Sequence, residues 1–173
     1  DHTDYEQLNG TFTAEYKGSF GSLGVNYMGW SNEHSFLLPD GSGVPQYLSN
    51  QTVQLYGQIP VNDRWTFKQK FTFLSNLRQE APEGTDDGGF PQKGEQAELD
   101  ILRNAWSARL DLANRDLGRF SGRTGIDFRY TDQDSRGLEE ALVPSGTITE
   151  VGGYIFQKID FDALTLNAGL RGD

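Results

Sequence analysis

Seven ionic residues fall on alternate positions of three segments: Lys68 and Lys70; Arg103 and Arg109; Arg123, Asp127 and Arg129. Gathered on one surface, they could hold an anionic chelate. Arginine presents a planar fork to carboxylates, and lysine adds a mobile point charge. They could equally pair within the surface itself, for example Asp127 with Arg109, at ~0.2 to 1 kcal/mol for each cross-strand pair.

Metal chemistry has thinner support. The chain has two histidines, His2 and His34. The Glu33-His34 pair could ligate zinc or iron, but a closed structural zinc site needs four ligands. Between Glu80 and Asp100 stand seven carboxylates, with Asp86-Asp87 at their centre and Lys93 the one cation. Such oxygen-rich stretches hold calcium when ligand spacing is right, and this one lacks the EF-hand spacing. A solvated loop is the simpler reading, so no metal and no cofactor are expected. Catalysis is not expected either. There is no cysteine, no serine sits in a nucleophile-elbow frame, and nothing supplies nucleophile, base and oxyanion donor together. Gly18, Gly21 and Gly24 lack the dinucleotide-binding spacing and fit a tight turn and strand curvature.

The elements that must position these residues have a period of two. Phe120, Thr124, Ile126, Phe128 and Tyr130 share one parity, and Arg123, Asp127 and Arg129 share the other. Successive strand side chains point to opposite faces, so each such segment has one apolar and one ionic face. The split recurs at Trp65 to Arg78, Leu102 to Leu112, Leu164 to Arg171, Val53 to Ile59, Leu23 to Tyr27 and Leu8 to Tyr16. Thr147 to Ile159 is extended, but both parities carry apolar residues. Eight strands are expected, each ~10 to 15 residues, longer than the ~5 to 6 usual in soluble sheets. A strand tilted across a bilayer needs ~9 to 11.

The connections alternate short and long. The short ones are read at Lys17–Ser19, Val61–Arg64, Asn114–Gly118 and Asp160–Asp162. The long ones are read at Leu37–Asn50, Gln79–Ala97 and Arg136–Ser145. Outer-membrane barrels have short periplasmic turns and long external loops. Phe20, Trp65, Phe120 and Phe161 each flank a short turn, as a lipid-facing aromatic band at the headgroup level would. Lysine or arginine facing lipid at mid-depth costs ~2 to 4 kcal/mol each. In a membrane barrel the ionic parity must therefore face the lumen; in a soluble barrel it would face out. Periodicity alone does not separate these inversions.

Composition limits the alternatives. The chain has 173 residues, 12% of them aromatic, with a formal net charge of −10. It is too aromatic for a disordered acidic tail, and too acidic for nucleic acid to be a favoured partner. No apolar run approaches the ~18 residues of a transmembrane helix. No basic-then-apolar leader opens the chain, as expected of a cleaved precursor or an internal section.

Three segments resemble TonB-dependent outer-membrane receptors. Gly169-Leu170-Arg171-Gly172-Asp173 is similar to the family's Gly-Leu-Arg-aromatic-Asp signature, with Gly172 in place of the aromatic. Ala141-Leu142-Val143-Pro144, followed by Gly153-Tyr154-Ile155-Phe156, looks like its Leu-Ile-Pro loop and the strand after it. Leu48 to Pro60, with Trp65 and Asn76-Leu77-Arg78-Gln79-Glu80, is similar to the adjoining strand pair. The resemblance covers about Tyr47 to Asp173. It implies an all-β, antiparallel, up-and-down transmembrane barrel of 22 strands. Residues 1–173 would be consecutive strands and loops of that one domain. It also implies a plug domain, the TonB complex and outer-membrane lipids as partners, and energy-coupled uptake of a scarce solute such as a siderophore or metal chelate. The family's plug and TonB box are not visible here. An independent eight-stranded outer-membrane barrel (pore, adhesin or structural protein) and a soluble lipocalin-like binding barrel remain open.

Overall fold

The computed structural model describes residues 5–37, 43–81, 97–137 and 143–173. Eight strands run antiparallel in chain order through one sheet: β1 (Tyr5–Gly18), β2 (Gly21–Leu37), β3 (Gly43–Pro60), β4 (Trp65–Glu80), β5 (Leu99–Leu117), β6 (Phe120–Ser135), β7 (Gly146–Phe161) and β8 (Leu164–Gly172). The expected all-β, up-and-down order is what forms. The sheet is open: β1 and β8 are its edges, and no pairing joins them among the described residues. Among the described residues no helix is long and apolar enough to cross a membrane, which says nothing about strands.

The strand ends depart from the sequence reading. Lys17 and Gly18 belong to β1, Asn114 to Leu117 to β5, and Asp160 and Phe161 to β7. The hairpins are therefore tighter than expected. Gly21 (φ +125°), Gly118 (φ +71°) and Asp162 (φ +30°) supply the left-handed backbone that such reversals need. A register shift between Asn114 and Leu117 takes up the extra residues of β5. The Val61–Arg64 turn lies where the sequence placed it. There the Asn62 side chain accepts from the amides of Arg64 (2.9 Å) and Trp65 (3.0 Å). Leu37 to Asn50 is not all loop. Gly43 to Asn50 extend β3: Gly43 to Pro45 pair with β2, and Gln46 to Asn50 find ladder partners on both sides, as in Asn50 opposite Trp30 and Asn76. Pro45, on the β2 side, does not stop the strand.

One row of directly opposed residues crosses all eight strands: Lys17, Ser22, Gln58, Lys68, Asp111, Gly125, Tyr154, Arg171. It lies one residue from the end of β1, two from that of β3, six from that of β5 and seven from that of β7. The hairpin ends thus slide six residues across six strands, on average one per strand. A slide of ~3.4 Å for each ~4.8 Å of strand separation inclines the strands by ~35°. Strands in closed barrels incline by ~35 to 45°.

Candidate functional site

Pairing across the ladder decides which residues share a face. Lys68, Lys70, Arg103, Arg109, Arg123, Asp127 and Arg129 all stand on one face, as their parity predicted. The register also settles β7. Glu150, Gly152, Tyr154 and Phe156 join the ionic face, opposite Arg129, Asp127, Gly125 and Arg123, while Val151, Ile155 and Ile159 join the apolar one.

The apolar face carries a belt bounded on its long-loop side by a polar row, with Leu8, Leu77 and Leu102 two residues beyond that row. One row reads Ala14, Val25, Leu55, Phe71, Ala108, Phe128, Val151; four residues further from the short turns, the same face reads Gly10, Gly29, Gln51, Ser75, Asn104, Asp132, Thr147. Every residue of the first row is apolar, and the second has no apolar side chain. On β4 the belt runs from Trp65 to Phe73, nine residues, within the ~9 to 11 that cross a bilayer. Trp65, Phe120 and Phe161 stand on this face at its short-turn end. Phe20 lies in the first turn, its ring stacked on Tyr16 of the belt (centroids 5.9 Å).

Exposure runs opposite to that of a soluble sheet. Much of the belt is exposed: Trp106 is 54% exposed, Phe128 42%, Leu166 48% and Val151 65%, while Trp65, Phe67 and Phe73 are half-buried. Ser22, Asn32, Val44, Gln46, Ala105, Asp111 and Thr131 are buried, and all stand on the ionic face. Among the described residues the apolar parity buries a side chain only near the sheet's ends, as at Pro45 and Asn114. Side chains converge on the inside of a curved sheet and splay on its outside, so the sheet bends around its polar face. Recesses of about 420 and 580 Å³ lie against that face.

Two ionic networks are built on it. Tyr154 of β7 reaches over Gly125 of β6 and donates its hydroxyl hydrogen to Asp111 of β5. The Arg109 guanidinium donates to the same carboxylate (3.2 Å) and to the Tyr154 oxygen (3.0 Å), and lies 4.6 Å from the ring centroid. Gly125 is required here, since a Cβ would stand 2.4 Å from Asp111 Oδ1 and 2.8 Å from the Leu110 carbonyl oxygen. The second network joins Arg171 of β8 to Asp127 through paired hydrogen bonds of 2.7 and 3.0 Å, and to Asp173 at 2.9 Å. Asp127 stands opposite Arg109 in register but pairs with Arg171. The Arg171 fork reaches it over Gly152, which has no side chain in the way, while Arg109 turns to Asp111 and Tyr154. Arg129 meets Glu150 at 3.9 Å. Lys68, Lys70, Arg103 and Arg123 make no ion pair among the described residues, and Arg103 Nε is covered without a hydrogen-bond partner.

The Glu33-His34 pair does not form a site, because adjacent strand residues project from opposite faces of β2. His34 Nδ1 lies 2.6 Å from Asn32 Oδ1. Asp86 and Asp87 lie outside the described residues, among which no group of three or more metal-ligating side chains occurs. Tyr154, Arg171, Glu150 and Asp111 escaped the sequence reading as site residues. Their signal is positional and requires the register: Asp111, Glu150 and Tyr154 lie opposite or diagonal to a residue already singled out, and Arg171 lies one strand beyond Tyr154. No family model, no curated protein and no solved structure matches the chain.

Proposed function

We propose that this chain is a consecutive section of the wall of a TonB-dependent outer-membrane receptor, a 22-stranded barrel that takes up a scarce solute such as a siderophore or metal chelate. The belt meets lipid and the ionic face lines the lumen, opposite a plug domain. The work is driven through the TonB complex, and this section serves as wall and loop.

The observation that carries the reading is the inverted exposure. Ser22, Asn32, Gln46, Asp111 and Thr131 are buried on the concave polar face, while much of the belt of aromatic and aliphatic side chains on the other face is exposed. In water, baring this belt forgoes ~25 cal/mol for each Å² that could be buried. In a bilayer the same belt is solvated by hydrocarbon, and the arginines keep their contact with water. The polar row above the belt and the rings at its lower edge match an apolar band between two interfaces. A lipocalin-like barrel needs the reverse curvature, with Trp106, Phe128 and Leu166 packed inward. An independent eight-stranded barrel needs β1 to pair with β8, and no such pairing occurs among the described residues.

The test uses neighbours on one strand of the full-length source protein. Bimane is attached at Phe128→Cys or Arg129→Cys, and the protein is placed in vesicles containing brominated phosphatidylcholine. Quenching several-fold stronger at 128 than at 129 is expected, with heat-modifiable migration and detergent-dependent solubility. Equal or reversed quenching, or purification of the parent from the soluble fraction, overturns the membrane reading. Uptake of a ferric chelate that persists in cells lacking TonB overturns the receptor reading.

A further inference from the structure

The recess of about 420 Å³ on the polar face lies between β1 and β6, and its charge is unlike that of the chain. Four cations line it, Lys68, Lys70, Arg109 and Arg123, against two carboxylates, Glu15 and Asp111. Both carboxylates are engaged. Asp111 is held by Arg109 and Tyr154, and Glu15 lies 3.4 Å from Lys17. Lys68, Lys70 and Arg123 form no ion pair among the described residues, although Lys68 stands opposite the engaged Asp111, in a chain of net charge −10. Nearby acidic residues were available to neutralise them, yet Asp127 is drawn to Arg171 and Glu150 to Arg129.

We infer that this recess is a binding site for a small polycarboxylate, with Lys68, Lys70 and Arg123 as its anchoring cations. Spacing separates this ligand class from a single compact oxyanion. Lys68 and Lys70 are two residues apart on β4, ~7 Å along the strand. Arg123 lies two strands away, ~10 Å across the sheet and one pair nearer the short turns. Cations so spread are best met by several carboxylates held apart on one carbon frame. The volume falls within the ~300 to 1,000 Å³ of small-molecule sites. Tyr56, whose ring covers Gly24, adds an apolar wall, and the Tyr154 ring lies 5.8 Å from the Arg123 guanidinium. Arg109 is held in place by Asp111 and Tyr154 before any ligand arrives, so its share of the positive field is preorganised. The inference deepens the reading above and rests on it, since it makes the lumen wall a stopping point for an anionic solute.

The experiment titrates citrate into the full-length protein in detergent, followed by calorimetry. Saturable binding that weakens with added salt is expected. The Lys68→Gln/Lys70→Gln/Arg123→Gln triple variant should weaken it ten-fold or more. Lys158→Gln, whose parent side chain pairs with Asp160 beside the last turn at 2.8 Å, should leave it unchanged. If the triple variant loses heat-modifiable migration, Lys70→Gln alone serves, with a several-fold loss expected and recovery in Lys70→Arg. Citrate binding unchanged by these substitutions, or absent up to ~10 mM, overturns the inference. If bimane at 128 is quenched by brominated lipid while citrate fails, the wall reading stands and the site falls. If citrate binds through these cations while quenching fails, the site stands on a water-facing sheet and the membrane reading falls.

Discussion

The two faces of this sheet share one backbone and differ in what they ask of a side chain. The belt face asks for hydrocarbon and little else. Its rows combine Ala, Val, Leu, Phe and Trp with few specific contacts, the Phe73–Trp106 ring pair at 4.2 Å being the closest. The polar face asks for exact partners. There Tyr154, Arg109 and Asp111 converge over a glycine, and Arg171 bridges two aspartates. A face solvated by a fluid medium tolerates exchange within a class. A face built from directional hydrogen bonds tolerates exchange only where nothing is engaged. Tolerance should therefore differ across the sheet by class on one side and by position on the other.

The largest effect should come from placing a charge in the belt. Phe128→Arg is expected to cost ~2 to 4 kcal/mol of folding free energy in lipid vesicles, the cost of arginine at mid-depth. Thr52→Arg, on the polar face of β3 opposite Met28 and Leu74, should stay within ~0.5 kcal/mol. Urea titration read by heat-modifiable migration measures both. Equal costs would mean that the two faces see the same medium. Next in size is a pair of glycines. Gly125→Ala puts a methyl 2.8 Å from the Leu110 carbonyl oxygen and into Asp111, and is expected to cost ~1 to 3 kcal/mol. Gly153→Ala on the belt face meets nothing within 4 Å and should be neutral within ~0.5 kcal/mol.

Those glycines also mark what the sequence could and could not disclose. The alternation at Phe120–Tyr130 and Trp65–Leu77 is legible because a period of two follows directly from the pleat. Seven cations and anions could therefore be assigned to one face without coordinates. β7 resisted, since Ile148, Tyr154 and Phe156 on one parity compete with Val151, Ile155 and Ile159 on the other. Only its pairing with β6 sorts them. The turn ends slipped because residues such as Asn114 and Asp160 have turn chemistry but sit in ladders. Tyr154 was invisible as a site residue for a deeper reason. Its role depends on an empty position across the ladder, Gly125, and on a carboxylate one strand further, and both are facts of register.

Tyr154→Phe isolates the hydrogen bonds of that network from its packing. The ring stays over Gly125, while Asp111 loses a donor and Arg109 an acceptor. Destabilisation of ~1 kcal/mol is expected, with Phe73→Leu on the belt as the matched loss on the other face. If Tyr154→Phe were neutral, the polar face would be as forgiving as the belt, and the contrast between directional and fluid solvation would fail.

The smallest effect should be at Arg129 and Glu150, and it tests how wet the polar face is. The two are direct partners across β6 and β7, yet their charged atoms stand 3.9 Å apart, with side chains 49% and 60% exposed. Separation near the limit of an ion pair gives little hydrogen bonding. Exposure gives a high local dielectric, and two long side chains lose rotamer freedom to stay together. A double-mutant cycle with Arg129→Gln and Glu150→Gln should therefore return a coupling of ~0.2 to 0.5 kcal/mol, vanishing near 1 M salt, where the screening length falls to ~3 Å. A coupling above ~1 kcal/mol that survives such salt would require a low-dielectric environment around Arg129. Phe128 and Arg129 would then both be dry, and the sheet would no longer divide hydrocarbon from water.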